Sequence, residues 1–319
     1  MWSIVATVSG RNLPLRSSLT AVLALLLGLG MSLTRMNAQA LEAASQPVPT
    51  NSPSISPSAS QTAVSTLSAT DQQVIDRINT SQTSHGCNFN LTAASAATTA
   101  GKCSILIIGD SLGNNLSIGL KYQLKGVKGL TINSRSKAST GLSNSWFYNW
   151  PKEFVKMLKQ YKPDLVLVML GANDHQDMKS DGRLLHFGTD AWVAKYSAYM
   201  KQITTLSTQS GAYVAWVGLP VMRPPKYAAG MNKLNEIYET VTTHEPGVIF
   251  IKTYDYFADS RGKFQAWAKV NGKRSKIRGD DGIHFASAGQ PVLGTFVIQE
   301  LSTTFNVKLA EKSPKRITS

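Results

Sequence analysis

Five short, continuous apolar runs, separated by longer stretches with apolar residues at helical spacing, constrain the fold of this chain most. The runs are 104–109 (SILIIG), 130–133 (LTIN), 165–170 (LVLVML), 212–219 (AYVAWVGL) and 248–251 (VIFI). A strand that is apolar on both faces must be covered on both, as in a parallel sheet between two layers of helix. Between the runs, Leu112, Leu116, Leu120 and Leu124 recur every four residues, and Trp192, Val193, Tyr196, Tyr199, Met200 and Ile203 keep one helical stripe. A last helix carrying Val292, Phe296, Val297 and Leu301 closes the pattern. The expected fold is α/β, with about five parallel strands covered by helices.

The chain ahead of this pattern has a different character. Arg11 and Arg16 precede the apolar run 19–33 (LTAVLALLLGLGMSL), and Asn37-Ala38-Gln39-Ala40 follows with small residues at the spacing a signal peptidase reads. Residues 1–40 are therefore expected to be a signal peptide, with an uncleaved N-terminal anchor as the alternative because Arg35 follows the run. Either way the remainder is expected to be exported, periplasmic or secreted. Residues 41–70 are rich in Ser, Thr, Pro, Ala and Gln with Glu42 as the one charge, a composition that buries too little apolar surface to order itself. They read as a flexible linker, 71–101 as a lead-in segment with a short helix near 71–81, 102–306 as the folded domain and 307–319 as a frayed basic tail.

Cys87 and Cys103 are the only cysteines. In an oxidising compartment they are disulfide candidates, and closing so short a loop stabilises by about 3 kcal/mol on the chain-entropy model; two unpaired thiols are the alternative. The formal charge is +14, and only Arg11, Arg16 and Arg35 of its 33 cations belong to the leader. The domain is thus expected to be drawn to an anionic cell-envelope surface. Nucleic acid is not an expected partner, because the cations (Lys156, Lys195, Lys273, Arg274, Lys276) are scattered and form no recognition motif.

Four blocks carry chemistry, each at the end of an apolar run or before the last helix. Ser111 in Gly109-Asp110-Ser111-Leu112 sits where the first strand meets a helix, at the sheet edge where α/β folds bind ligands. There, unpaired N–H groups favour negative charge, although a serine is also an ordinary N-cap. Asp281 and His284 in Asp281-Gly282-Ile283-His284 are three residues apart, so one turn lets the carboxylate orient the imidazole as a base for a serine. Asn173 in Gly171-Ala172-Asn173-Asp174, Gly141 in Ser139-Thr140-Gly141-Leu142, and the Ser111 N–H are candidate donors to an oxyanion. Asparagine and glycine are equally ordinary in turns.

Together these blocks resemble the SGNH (GDSL-like) hydrolase superfamily over about 102–305, and the wider wording, STGL, GANDHQ, WVGLPVMRP and RGDDGIHF, resembles a branch of exported bacterial enzymes whose substrates are mostly unassigned. The resemblance implies a flavodoxin-like three-layer α/β/α sandwich and ester or acyl chemistry without a cofactor. It also implies roles for Ser111 as nucleophile, His284 as base, and Gly141 and Asn173 in the oxyanion hole. The segment Gly109-Asp110-Ser111-Leu112-Gly113 also fits the G-x-S-x-G nucleophile elbow, but that fold builds several strands before its elbow and here the serine follows the first.

Trp146, Trp150 and Arg223 are candidates for the substrate pocket, with core packing or a surface ion pair as the alternatives. Asp174, His175 and Asp177 crowd together without the compact set of further ligands a metal site needs, and no metal is expected. The expected function is a serine-dependent ester hydrolase acting on an acylated small molecule or glycan. An O-acetyltransferase with the same residues, or an envelope binding protein that turns nothing over, are the alternatives.

Overall fold

The apolar runs form one parallel sheet in the computed structural model, which describes residues 103–304 and 315–318. The expected leader, linker and lead-in helix lie outside the described residues, as does Cys87. Cys103, at the start of the first strand, is disulfide-bonded. The sheet strands are β1 (Cys103–Gly109), β2 (Leu130–Ser136), β3 (Leu165–Met169), β6 (Tyr213–Val217) and β7 (Val248–Ile251), in the order β2-β1-β3-β6-β7. Ile105 pairs with Leu165 and Ile132 on its two sides, and β3 is buried throughout. The edge strand β2 is half-exposed, as its mixed sequence LTINSRS requires.

Helix α1 (Ser111–Gln123) carries the chain from β1 to β2 in one direction. Helices α2 (Trp150–Tyr161), α3 (Asp190–Gln209) and α4 (Pro225–Thr242) carry it the other way. Right-handed crossovers put these two sets on opposite faces. Helix α5 (Gly289–Thr304) packs against α1, completing the expected three-layer sandwich with flavodoxin-like strand order. Among the described residues no helix is long and apolar enough to cross a membrane.

The α1–α5 contact is close because both helices present glycine. A Cβ on Gly119 would lie 2.0 Å from the Gln290 carbonyl oxygen, and one on Gly294 would lie 2.5 Å from the Gly119 carbonyl carbon. The last turn of α1 is fixed to the same partner, with Gln123 Nε2 donating to Thr295 Oγ1 at 2.7 Å.

Several elements differ from the sequence expectation. Helices α2 and α4 stand outside the leucine and aromatic stripes; α2 buries Trp150, Phe154, Met157 and Leu158, and α4 buries Met231, Leu234, Ile237, Tyr238 and Val241. Two hairpins, β4 (Met178–Ser180) with β5 (Arg183–Leu185) and β8 (Trp267–Val270) with β9 (Lys273–Lys276), turn on Asp181-Gly182 and Asn271-Gly272, all four residues at positive φ. Such pairs fit the twist of a two-residue hairpin turn. The expected frayed tail is corrected at its end: β10 (Ile317–Thr318) pairs antiparallel with β8, Arg316 N donates to Asn271 Oδ1, and Lys315 N donates to Thr295 Oγ1.

An interior helical glycine replaced by alanine ordinarily gains about 1 kcal/mol from propensity. At Gly119 the new methyl meets backbone, so Gly119→Ala is expected to lower the unfolding free energy by about 2 kcal/mol in a urea titration. A variant as stable as the parent would show that the two helices are not locked at this crossing.

Candidate active site

The site is assembled where the strand order reverses, between the carboxyl ends of β1 and β3, the place where helices diverge to opposite faces and leave a crevice. Gly109 ends β1, and a Cβ there would lie 2.0 Å from the Met169 carbonyl oxygen of β3, so no other side chain fits the strand contact. The next residue, Asp110, is fully buried and caps α1, its Oδ1 accepting from Leu112 N at 2.8 Å. Its other oxygen crosses to the loop after β3 and accepts from Gly171 N at 2.9 Å and Ala172 N at 2.8 Å. Burial pushes this carboxyl up to about 6; the three N–H donors oppose the rise and the nearby Asp174 charge adds to it.

Ser111 is thereby the first residue of α1, at a helix end whose leading N–H groups lack intrahelical partners. The loop after β3 is fixed in turn by Asp174, also fully buried. Its Oδ1 accepts from the Ser143 N–H at 2.9 Å and hydroxyl at 2.6 Å, and its Oδ2 accepts from Leu142 N at 3.0 Å and the Tyr196 hydroxyl at 2.8 Å. Burial raises this carboxyl as well, against those donors. Gly141 is required by the same contact, since a Cβ would lie 2.0 Å from Asp174 Oδ1. Below, the Tyr196 and Tyr238 hydroxyls are 3.1 Å apart, and Tyr238 donates to the Leu170 carbonyl at 2.8 Å. Between these anchors, Asn173 donates Nδ2 to the Thr140 carbonyl at 2.9 Å, which sets the plane of its amide and leaves the second N–H of the NH2 group for another acceptor.

The histidine arrives on the turn before α5. Its Nε2 is 2.7 Å from Ser111 Oγ, and its Nδ1 is 2.6 Å from Asp281 Oδ2. The other Asp281 oxygen accepts from the Ile283 N–H at 2.8 Å and the His284 N–H at 3.0 Å, so one carboxylate fixes both the imidazole and the turn that carries it. Partial burial alone would raise the Asp281 carboxyl, but the His284 side chain and these two N–H groups outweigh it and pull the carboxyl down to about 2.

Three residues outside the four motifs hold this turn. Asn115, one turn along α1 from Ser111, accepts the Phe285 N–H at 3.0 Å and so ties the histidine segment to the helix that begins at Ser111. Arg278 is fully buried, donating to the carbonyls of Val221 and Ile283 at 2.8 Å each and lying between the rings of Phe264 and Phe285. Burial brings its guanidinium down to about 10. It opens the segment RGDDGIHF, but the sequence assigns it no role, because an arginine ordinarily reads as a surface residue. Arg223, expected to face an anionic substrate, instead braces the turn: its N–H donates to Gly282 O at 3.1 Å, its Nη1 donates to Asp280 O at 2.7 Å, and its side chain packs where a Gly282 Cβ would stand.

The aromatic pocket candidates separate. Trp146 is 79% exposed, whereas Trp150 is fully buried and is corrected from pocket wall to support: its Nε1 donates to Thr140 Oγ1 at 3.0 Å, holding the Gly141 loop from beneath. Asp177 pairs with His186 at 2.9 Å while Asp174 turns inward, and among the described residues no group of three or more His, Cys, Asp or Glu is arranged to hold a metal ion.

A family model described as "Protein of unknown function (DUF459)" matches residues 104–300. No curated protein matches the chain. Among solved structures it is similar to a catalytic mutant of Axe2, an acetylxylan esterase from Geobacillus stearothermophilus, at 14% identity over 63% of this chain and 95% of that one, with a TM-score of 0.43. It is also similar to the psychrotrophic esterase EstA from Pseudoalteromonas sp., at 18% identity over 64% and 98%, TM-score 0.41.

Two outcomes follow from the carboxylates. Replacing Asp110 with alanine leaves the Gly171 and Ala172 N–H groups buried without an acceptor and removes the α1 cap, so Asp110→Ala is expected to cost about 3–5 kcal/mol in a denaturant titration. Asp281 is held below its ordinary value near 3.9, so its contribution to stability is complete above that value and is lost as the pH falls toward about 2. Across that window, D281N is expected to lose less stability than the parent; parallel curves would mean that Asp281 carries no such linkage.

Proposed function

The chain belongs to the DUF459 family, whose description names no activity, and we propose that it is a serine-dependent ester hydrolase working through an acyl-serine intermediate. The observation that carries this reading is the contact chain from Ser111 Oγ through His284 to Asp281, at 2.7 and 2.6 Å. With Nδ1–H donating to Asp281, His284 Nε2 is the acceptor facing the serine hydroxyl.

In the first step Ser111 Oγ attacks the ester carbonyl carbon while His284 Nε2 takes the hydroxyl proton. The negative charge on the carbonyl oxygen is met by the Ser111 and Gly141 N–H groups and by the second N–H of the Asn173 amide, whose first N–H is held by Thr140. Collapse of this adduct breaks the bond to the alcohol oxygen, which takes the proton from His284. Water then attacks the acyl-serine carbonyl, gives a proton to His284, and the acid leaves as Ser111 regains its hydrogen. Asp281 keeps one tautomer in place through both steps. It is ionised at any pH well above 2, so an acid limb of the activity profile at pH 5–7 does not belong to it.

The leader expected from the sequence at 1–40 and the basic balance support an exported enzyme acting on O-acyl groups of cell-envelope or extracellular glycans, close to an anionic surface. The test is hydrolysis of p-nitrophenyl acetate alongside intact-mass analysis after treatment with a fluorophosphonate. Turnover and a single adduct are expected, both absent in Ser111→Ala. Asp281→Asn is expected to lower kcat by about 10²–10⁴-fold while leaving the adduct site unchanged. No turnover and no adduct in the parent would sink the reading.

A further inference from the structure

A cavity of about 280 Å³ opens between the loop after β2, the loop after β3 and the start of α4, lined by the side chains of Ser139, Asn144, Asn173, His175, Gln176 and Tyr227, with Ala172 as the one apolar residue. It adjoins the proposed reaction centre, because Asn173 belongs to both. Its polar groups are held in place from outside. Gln176 Nε2 donates to the Asn173 carbonyl at 2.5 Å. The His175 ring backs onto Gly230, where a Cβ would lie 2.5 Å away, and meets the rings of Phe187 and Tyr227 edge-on at 4.6 and 5.7 Å.

Asn144 is the telling residue. It is 9% exposed, and its Nδ2 donates to the Ser139 carbonyl at 3.2 Å, which fixes which end of the amide is oxygen. The oxygen, Oδ1, has no hydrogen-bond partner among the described residues. A buried acceptor without a donor is costly, so this loop calls for a donor from water or from a bound group.

On the ester-hydrolase reading, we infer that this cavity is the subsite for the alcohol half of the ester and that it takes a single hydroxyl-bearing ring, a sugar rather than a hydrocarbon chain. A fatty acyl chain here would strip water from six polar side chains and return no hydrogen bond. Ring hydroxyls donate and accept at once, matching the two-sided imidazole of His175 and the amides that line the cavity at Asn144 and Gln176. Burial, with the Lys226 charge beside it, lowers the His175 titration, so at neutral pH its ring has one donor and one acceptor nitrogen. The volume is that of about nine waters at about 30 Å³ each, room for one ring and its first hydration partners. The edge of Tyr227 offers an apolar flank for the ring.

The test compares kcat/KM of the full-length protein for 6-O-acetylglucose, ethyl acetate and ethyl octanoate, with p-nitrophenyl acetate as the reporter of the nucleophile. Acetylglucose is expected to exceed ethyl acetate by at least about tenfold, and ethyl octanoate to be the poorest substrate. Asn144→Ala and the more exposed Gln176→Ala are each expected to shrink the sugar preference by about fivefold, mainly through KM. Failure on p-nitrophenyl acetate would remove the ester-hydrolase reading itself. Turnover of that reporter with ethyl octanoate preferred, or with a sugar preference that neither variant moves, would leave that reading standing and overturn the assignment of the cavity.

Discussion

Asp110 joins the ends of β1 and β3 with a single buried carboxylate, and the geometry of the site depends on that join. One oxygen starts α1 and the other accepts the two N–H groups of Gly171 and Ala172. The helix that begins at Ser111 and the loop bearing Asn173 are therefore positioned by the same side chain. A longer acid would push the loop away, and an amide would offer one acceptor where two oxygens are needed. Asp174 repeats the device one loop further on, accepting from Leu142, Ser143 and Tyr196 and so drawing in the Gly141 segment.

Two carboxylates this deep in a protein carry a desolvation cost, which shows in the upward shift of both. Backbone N–H groups and the hydroxyls of Ser143 and Tyr196 offset it. Glycine supplies the room: at Gly109 and Gly141 any side chain would collide with Met169 O or Asp174 Oδ1. The loops carrying Gly141 and Asn173 are thus both bonded to buried acids, and on the ester-hydrolase reading donors fixed in this way are what transition-state charge stabilisation demands.

The histidine turn is stabilised differently. Asp281 organises it from within, while Asn115, Arg223 and Arg278 fasten it from α1, the loop after β6 and the hydrophobic interior. Arg278 has carbonyl oxygens and aromatic faces around it, and its Nε is without a partner among the described residues. Its buried charge is compensated in part by those two carbonyl acceptors and by the faces of Phe264 and Phe285.

The sequence by itself determined the layered α/β sheet, because runs apolar on both faces admit few other arrangements, and it singled out Ser111, Gly141 and Asn173 in short motifs that follow such runs, and Asp281 and His284 in one just before the last helix. The hairpins at Asp181-Gly182 and Asn271-Gly272 lay outside the five-strand reading, because their strands are only three or four residues long and carry no continuous apolar run. Tertiary structure alone decided the rest. Trp150 and Trp146 are four residues apart, yet one is core and the other solvent, a difference set by where α2 begins. Arg223, a pocket candidate in the sequence, and Arg278 take up their bracing roles only when the turn is folded against them, and the docking of Ile317–Thr318 on β8 depends on a partner nearly fifty residues away. The orphaned oxygen of Asn144 exists only once two loops and α4 close around it. Local pattern reports what a residue prefers, whereas burial without a partner is a property of the assembled chain.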